Sequence, residues 1–191
     1  MRLSDLKHNL KVPIFTGSDL VKIFPFEPKN HINTQLKRMS SRKDLINLKR
    51  DLYIFPDAKL DEFVLANRIY TPSYVSLESA LNTYGIIPDV TANVTSVSPV
   101  TSKKAKTSKG TFLYSKINKD LFFGFKSVLD QNSGLYYQIA LPEKAFLDYI
   151  YIRKVKNIRE NRIDLSGLSI KVLTKFSVFF PKWVRDVLKH E

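Results

Sequence analysis

The chain has 191 residues, 43% hydrophobic and 12% aromatic, with 31 lysines and arginines against 18 acidic residues for a net charge of +13. This is the apolar content of a globular protein rather than a disordered one, and the absence of cysteine excludes disulfides, thiolate nucleophiles and cysteine-bound zinc. So large a positive charge repels itself in a compact chain. A polyanionic partner, nucleic acid first, is the simplest reason to carry it, and solubility is the other.

In chain order, Leu20, Val21 and Phe24 give residues 19 to 24 a helical apolar stripe, with Ser18 as the expected cap. Pro25 and Pro28 stop that helix, and a second one is predicted from Asn30 to Ser40. Leu45 to Phe55 reads as a tight β-hairpin with its turn at Lys49-Arg50-Asp51, where Asp51 tolerates the left-handed backbone. Helix, turn, helix and hairpin together predict a winged helix-turn-helix DNA-binding domain over residues 1–57, closed by the turn Phe55-Pro-Asp-Ala58.

Beyond it, Leu60 to Ala66 is helical, and Leu77, Ala80, Leu81 and Tyr84 share one face of a helix that Ser76 can cap and Gly85 can end. Strands are expected near 92–100, 111–117, 121–129 and 135–140, with Asn132-Ser-Gly134 as a turn and residues 102–110 as an exposed basic loop. Pro142 opens a helix to about Lys154, and two further helical patterns lie between Asp164 and His190, split by Pro181. Trp183, Val184, Val187 and Leu188 give the last one an apolar face. The expected fold class is therefore α+β: the winged helix, then residues 58–191 as an α+β domain with an antiparallel sheet and C-terminal helices.

On the second helix Ile32, Leu36 and Met39 fall on one side, with Asn30, Asn33, Thr34, Lys37 and Ser41 opposite. Asn, Thr and Lys are residue types that read base edges, and a helix fits the major groove. Lys29, Arg38, Arg42, Lys43, Lys49 and Arg50 surround it, close to the acids Asp44 and Asp51. Lys29, Asn30, Asn33, Thr34, Lys37, Arg38, Arg42, Lys43, Lys49 and Arg50 are the predicted contacts to double-stranded DNA. The cations would hold phosphates, while the asparagines and Thr34 would supply sequence preference. The alternative is a solvated polar face.

His8, His31 and His190 lie in no zinc-ligand spacing, and no phosphate-loop, dinucleotide or nucleophile-elbow motif is present, so neither a metal nor a cofactor is expected. Glu78, Glu143 beside Lys144, and Asp148 are the acids that a metal-dependent nuclease would use. We read Glu78 and Glu143 instead as charges favoured at helix N-termini. Lys103, Lys104, Lys106 and Lys109 are either a second phosphate contact or a solvated connection. Phe122, Phe123, Phe125, Tyr136 and Tyr137 are either sheet core or a platform for single-stranded bases, with core preferred. No apolar run reaches the roughly 18 residues of a membrane helix, and Met1-Arg2-Leu3-Ser4-Asp5 leads into no signal sequence, so a cytoplasmic location is expected without a membrane partner.

The block Ile69-Tyr-Thr-Pro-Ser-Tyr-Val-Ser-Leu-Glu-Ser-Ala-Leu-Asn-Thr-Tyr-Gly-Ile-Ile-Pro88, followed later by Ile139-Ala-Leu-Pro-Glu-Lys-Ala-Phe-Leu-Asp-Tyr-Ile150, resembles the AbiEi antitoxin family of abortive-infection, type IV toxin–antitoxin systems. Val12-Pro-Ile-Phe-Thr-Gly-Ser-Asp-Leu20 and Leu48-Lys-Arg-Asp-Leu-Tyr53 are similar to the start and wing of that family's winged-helix domain. Asp51 stands where the wing is expected to carry glycine. The resemblance runs from about Pro13 to about Ile152 and fades over residues 155–191. It implies a phage-defence antitoxin that is no enzyme, represses its own promoter and counteracts a nucleotidyltransferase-like toxin through the C-terminal domain, without a required stable complex. The alternatives are a standalone winged-helix transcription factor with a sensing C-terminal domain, and a nuclease targeted by its winged helix.

Overall fold

The computed structural model describes residues 1–88, 91–158 and 163–189, and shows a mixed α+β chain in two compact units. One unit comprises residues 1–61 with 107–109 and 129–135, and the other holds the remainder.

The first unit runs α1 (Leu3–Asn9), β1 (Ile14–Phe15), α2 (Gly17–Ile23), α3 (Lys29–Ser41), β2 (Ile46–Lys49) and β3 (Leu52–Ile54). The three strands form an antiparallel sheet in the order β1-β3-β2, with Ile14 opposite Ile54 and Asn47 opposite Tyr53. Apolar residues at i, i+4 and i+7 of α3 make the core contact: Ile32, Leu36 and Met39 are all buried, against Leu6, Phe15, Leu20 and Leu45. Ala58 packs on the same cluster.

The cap of α2 is Thr16 rather than Ser18. The Thr16 hydroxyl accepts from the Asp19 N–H at 3.2 Å, and the Asp19 carboxylate accepts from the Thr16 N–H at 2.9 Å. Asp19 can close this reciprocal box only with a residue three positions before it, and Ser18 falls inside the helix.

The second unit contains α4 (Glu62–Ile69), β4 (Tyr74–Val75), α5 (Leu77–Thr83), β5 (Val94–Ser98), β6 (Lys103–Thr107), β7 (Gly110–Lys116), β8 (Phe125–Leu129), β9 (Tyr136–Ala140), α6 (Pro142–Arg153), α7 (Ile170–Ser177) and α8 (Lys182–Lys189), except that the last residues of β6 and β8, Thr107 and Leu129, group with the first. Its six-stranded sheet has the order β6-β7-β5-β4-β9-β8. The sheet is mixed rather than purely antiparallel: β4 runs parallel to β9, with Val75 opposite Ile139, and β5 runs parallel to β7. A strand that returns to pair in parallel needs a connection reaching past its neighbour. Here β6 supplies it, lying outside β7 at the sheet edge.

The basic segment expected as a loop is thus largely the edge strand β6, with the turn confined to Ser108 and Lys109. Its lysines have low strand propensity but suit an edge, where their charge discourages pairing with another chain. Gly85, at φ +69°, ends α5 in the left-handed conformation. Helices α5 and α6 pack on each other, and α7 and α8 pack on α6.

Candidate nucleic-acid interface

Four of the predicted DNA contacts come together in the first unit. Lys29, Asn33 and Lys37 of α3 and Arg50 of the β2–β3 turn line one groove of about 410 Å³, together with Ser18, Asp51 and Tyr53. Lys29, Asn33 and Lys37 repeat every four residues, so one helix edge presents a cation, an amide and a cation in line. Between residues 29 and 50 there are seven basic residues against one acid, Asp44.

The hairpin turn is fixed to the start of α2. Asp51 sits at φ +60° and its carboxylate accepts from the Gly17 N–H at 2.9 Å, satisfying one of the amides a helix N-terminus leaves free. A Cβ on Gly17 would lie 2.6 Å from the Asp51 carboxylate and 3.2 Å from the Asn33 amide oxygen, so glycine is what lets turn and helix approach. The turn residue that departs from the expected glycine is therefore the one that ties the turn down. Burial, and then the Asp51 carboxylate, raise the Tyr53 hydroxyl above its ordinary value, so it stays protonated.

The other predicted contacts do not line the groove. Asn30 and Thr34 are exposed on α3, and the Thr34 hydroxyl donates to the Asn30 carbonyl at 2.9 Å. Arg38 is exposed near the end of the helix, and Lys43 is exposed at φ +64°. Arg42 pairs with Asp44 at 3.1 Å, a surface ion pair that leaves it available to a phosphate at small cost. Lys49 is exposed at the end of β2.

In the second unit a buried constellation appears that sequence reasoning missed. Lys144 and Asp148 on α6 are both fully buried and ion-paired. The Tyr74 hydroxyl donates to Asp148 at 2.8 Å, as does the Ser76 hydroxyl at 2.9 Å, and the Lys144 ammonium donates to the Tyr74 oxygen at 2.8 Å. Ser76 thus occupies the N-cap position of α5 while its hydroxyl points to Asp148 rather than capping the helix. The ammonium lies 5.3 Å from the Phe123 ring and 5.2 Å from that of Phe180. Burial pushes Lys144 below its ordinary value against the pull of Asp148, and pushes Asp148 up against its three donors. Next to Ser76, fully buried Leu77 is held at φ +59°, a strained conformation for a branched side chain.

The acids weighed for a nuclease centre are engaged separately. Glu78 forms a two-pronged pair with Arg153 at 2.6 and 2.9 Å, and Glu143 accepts from the Ser169 N–H at 2.8 Å. Among the described residues no three His, Cys, Asp or Glu side chains gather as a metal site would need. His31 pairs with Glu27 at 3.0 Å, and His190 lies outside the described residues.

The aromatic run is mostly packing. Phe122 and Phe125 lie against Tyr74, Phe123 against Phe176 and Phe179, and Tyr137 against Phe63, whereas Tyr136 is 60% exposed. Among the described residues no helix is long and apolar enough to cross a membrane. Comparison with known proteins adds no identity: no family model and no curated protein matches the chain.

Proposed function

We propose that the first unit is a winged helix-turn-helix that docks on duplex DNA with α3 in the major groove and the β2–β3 turn as its wing. On this reading the chain represses its own promoter as the antitoxin of a type IV abortive-infection system. The observation that carries the DNA reading is the grouping of Lys29, Asn33, Lys37 and Arg50 along one groove. A merely solvated helix face does not need a hairpin turn tied beside it, and here the Asp51 bond to Gly17 fixes the turn whose Arg50 lines the same groove as α3. The element order supports the same reading: a short strand between the first two helices pairs with the second strand of the hairpin that follows the third.

In this account Lys29, Lys37 and Arg50 contact phosphates and Asn33 reads a base edge. Supporting the antitoxin reading, the two sequence blocks that resemble that family join in the second unit. Val75 pairs with Ile139, and Tyr74 and Ser76 bond to Asp148. The functional partner is a nucleotidyltransferase-like toxin, counteracted by the second unit.

Titration of a labelled promoter duplex tests the interface. Lys37→Ala and Arg50→Ala weaken binding to every sequence and each reduces the salt slope by about 1, while Asn33→Ala loses about 1–3 kcal/mol of discrimination with the slope unchanged. Titrations unchanged in all three variants overturn the assignment.

A further inference from the structure

The helices α6, α7 and α8 and the connection before α7 border an open-sided cleft that neither the proposed interface nor the buried ion pair uses. It measures about 730 Å³ and is walled by Phe146, Ile158, Leu165, Leu173 and Leu188. Phe146 and Ile158 are buried in its floor, while Ile170 at the start of α7 and Val178 just past its end stand 80% and 63% exposed at its rim. A mostly apolar cleft of this volume lies within the size range of small-molecule sites.

The polar groups around it point to the chemistry of the occupant. The Thr174 hydroxyl donates to the Ile170 carbonyl at 2.8 Å and the Ser177 hydroxyl to the Thr174 carbonyl at 2.9 Å, so both are already committed to the helix. The remaining charges are cationic. Among the described residues Arg185 has no ion-pair partner, and Lys189 pairs with Asp186 at 3.4 Å on the surface. An apolar cleft beside a guanidinium that no described carboxylate pairs with suits a molecule that is apolar along its body and anionic at one end. Its walls come from α6, α7 and α8 together with Ile158, Leu165 and Leu168 of the connection before α7, and its volume suits a small molecule.

We propose that this cleft binds a medium-chain carboxylate or a similar amphipathic anion, with its chain against Phe146, Ile158 and Leu173 and its head group at Arg185. The cleft shares no residue with the proposed DNA-reading groove and would give the second unit a ligand to sense.

The test is calorimetric titration of the full-length protein with dodecanoate below its micelle concentration, set against dodecyltrimethylammonium, which has the same chain and the opposite charge. Dodecanoate binds saturably at one per chain, Arg185→Glu weakens it about tenfold, and the ammonium compound fails to compete. Leu173→Trp fills the space and removes binding. Should that variant lose its native circular dichroism, Arg185→Glu, which alters only an exposed side chain, decides the matter. Absence of saturable binding, an affinity unchanged by Arg185→Glu, or equal binding of the ammonium compound each overturns the proposal.

Discussion

Replacing Lys144 with methionine tests whether the buried pair of the second unit is held together as its geometry implies. The methionine chain refills most of the space that the lysine stem occupies beside Gly124, where a glycine Cβ would already come within 3.0 Å of it, so little of the effect is cavity. What is lost is the cation facing a carboxylate that is fully buried. Removing one partner of such a pair costs about 3–5 kcal/mol, a large part of the 5–15 kcal/mol by which domains are typically stable. Asp148 keeps its bonds from Tyr74 and Ser76, which argues for the lower end of that range. Adding Asp148→Asn removes the stranded charge while leaving an oxygen to accept from both hydroxyls, so the double variant recovers most of the loss. Urea unfolding followed by the fluorescence of Trp183, which lies in the same unit, reads both changes as midpoint shifts at constant slope. A Lys144→Met protein within about 1 kcal/mol of wild type, or a double variant worse than the single one, would refute the reasoning.

Two further predictions concern other contacts. Gly17→Ala forces the Asp51 carboxylate off the α2 amide and should cost about 1–2 kcal/mol of stability. Combined with Asp51→Gly it adds little more, since both changes break one bond; strict additivity in thermal melts contradicts the tether. Burial works to raise the Glu78 carboxyl, but the bonds and charge of Arg153, joined by a backbone hydrogen bond and one from Thr95, outweigh it and hold the group below the ordinary glutamate value of 4.5. A group depressed on folding contributes stability that is present above its unfolded value and lost as pH falls through the folded one. The stability gap between wild type and Glu78→Gln should therefore close as pH drops below 4.5, and a gap constant with pH would dispute the pairing.

The parts of this fold legible in the sequence were those whose cause is local. Helix α3 follows from Ile32, Leu36 and Met39 on one face, and the end of α5 follows from Gly85, because period and conformational freedom are properties of a short segment. The Thr16–Asp19 box was also readable from its spacing, but Ser18 offered a competing cap two residues on. Strand β4 was not readable, since two residues carry no period and their pairing depends on Ile139 far along the chain. Strand β6 was hidden by its lysines, which signal a loop locally and an edge globally.

At the candidate site, the charges on α3 were visible, but the groove they share with Arg50 includes a turn fixed by the bond from Gly17 to Asp51 across 34 positions. The Lys144–Asp148 pair left a faint signal, two opposite charges four apart among Ala145, Phe146, Leu147 and Ile150, where a surface pair would have polar neighbours. Only the packing of α5 on α6 reveals that they are buried and joined to Tyr74 and Ser76.

The most direct test of the central claim is titration of the purified protein against the DNA upstream of its own reading frame and an unrelated duplex of equal length, each at two salt concentrations. The account predicts tight, selective binding to the upstream DNA with a steep salt slope, as expected when several cations displace counterions and α3 reads bases. Equal, weak binding to both duplexes would contradict it, leaving the +13 charge as a nonspecific property of the chain.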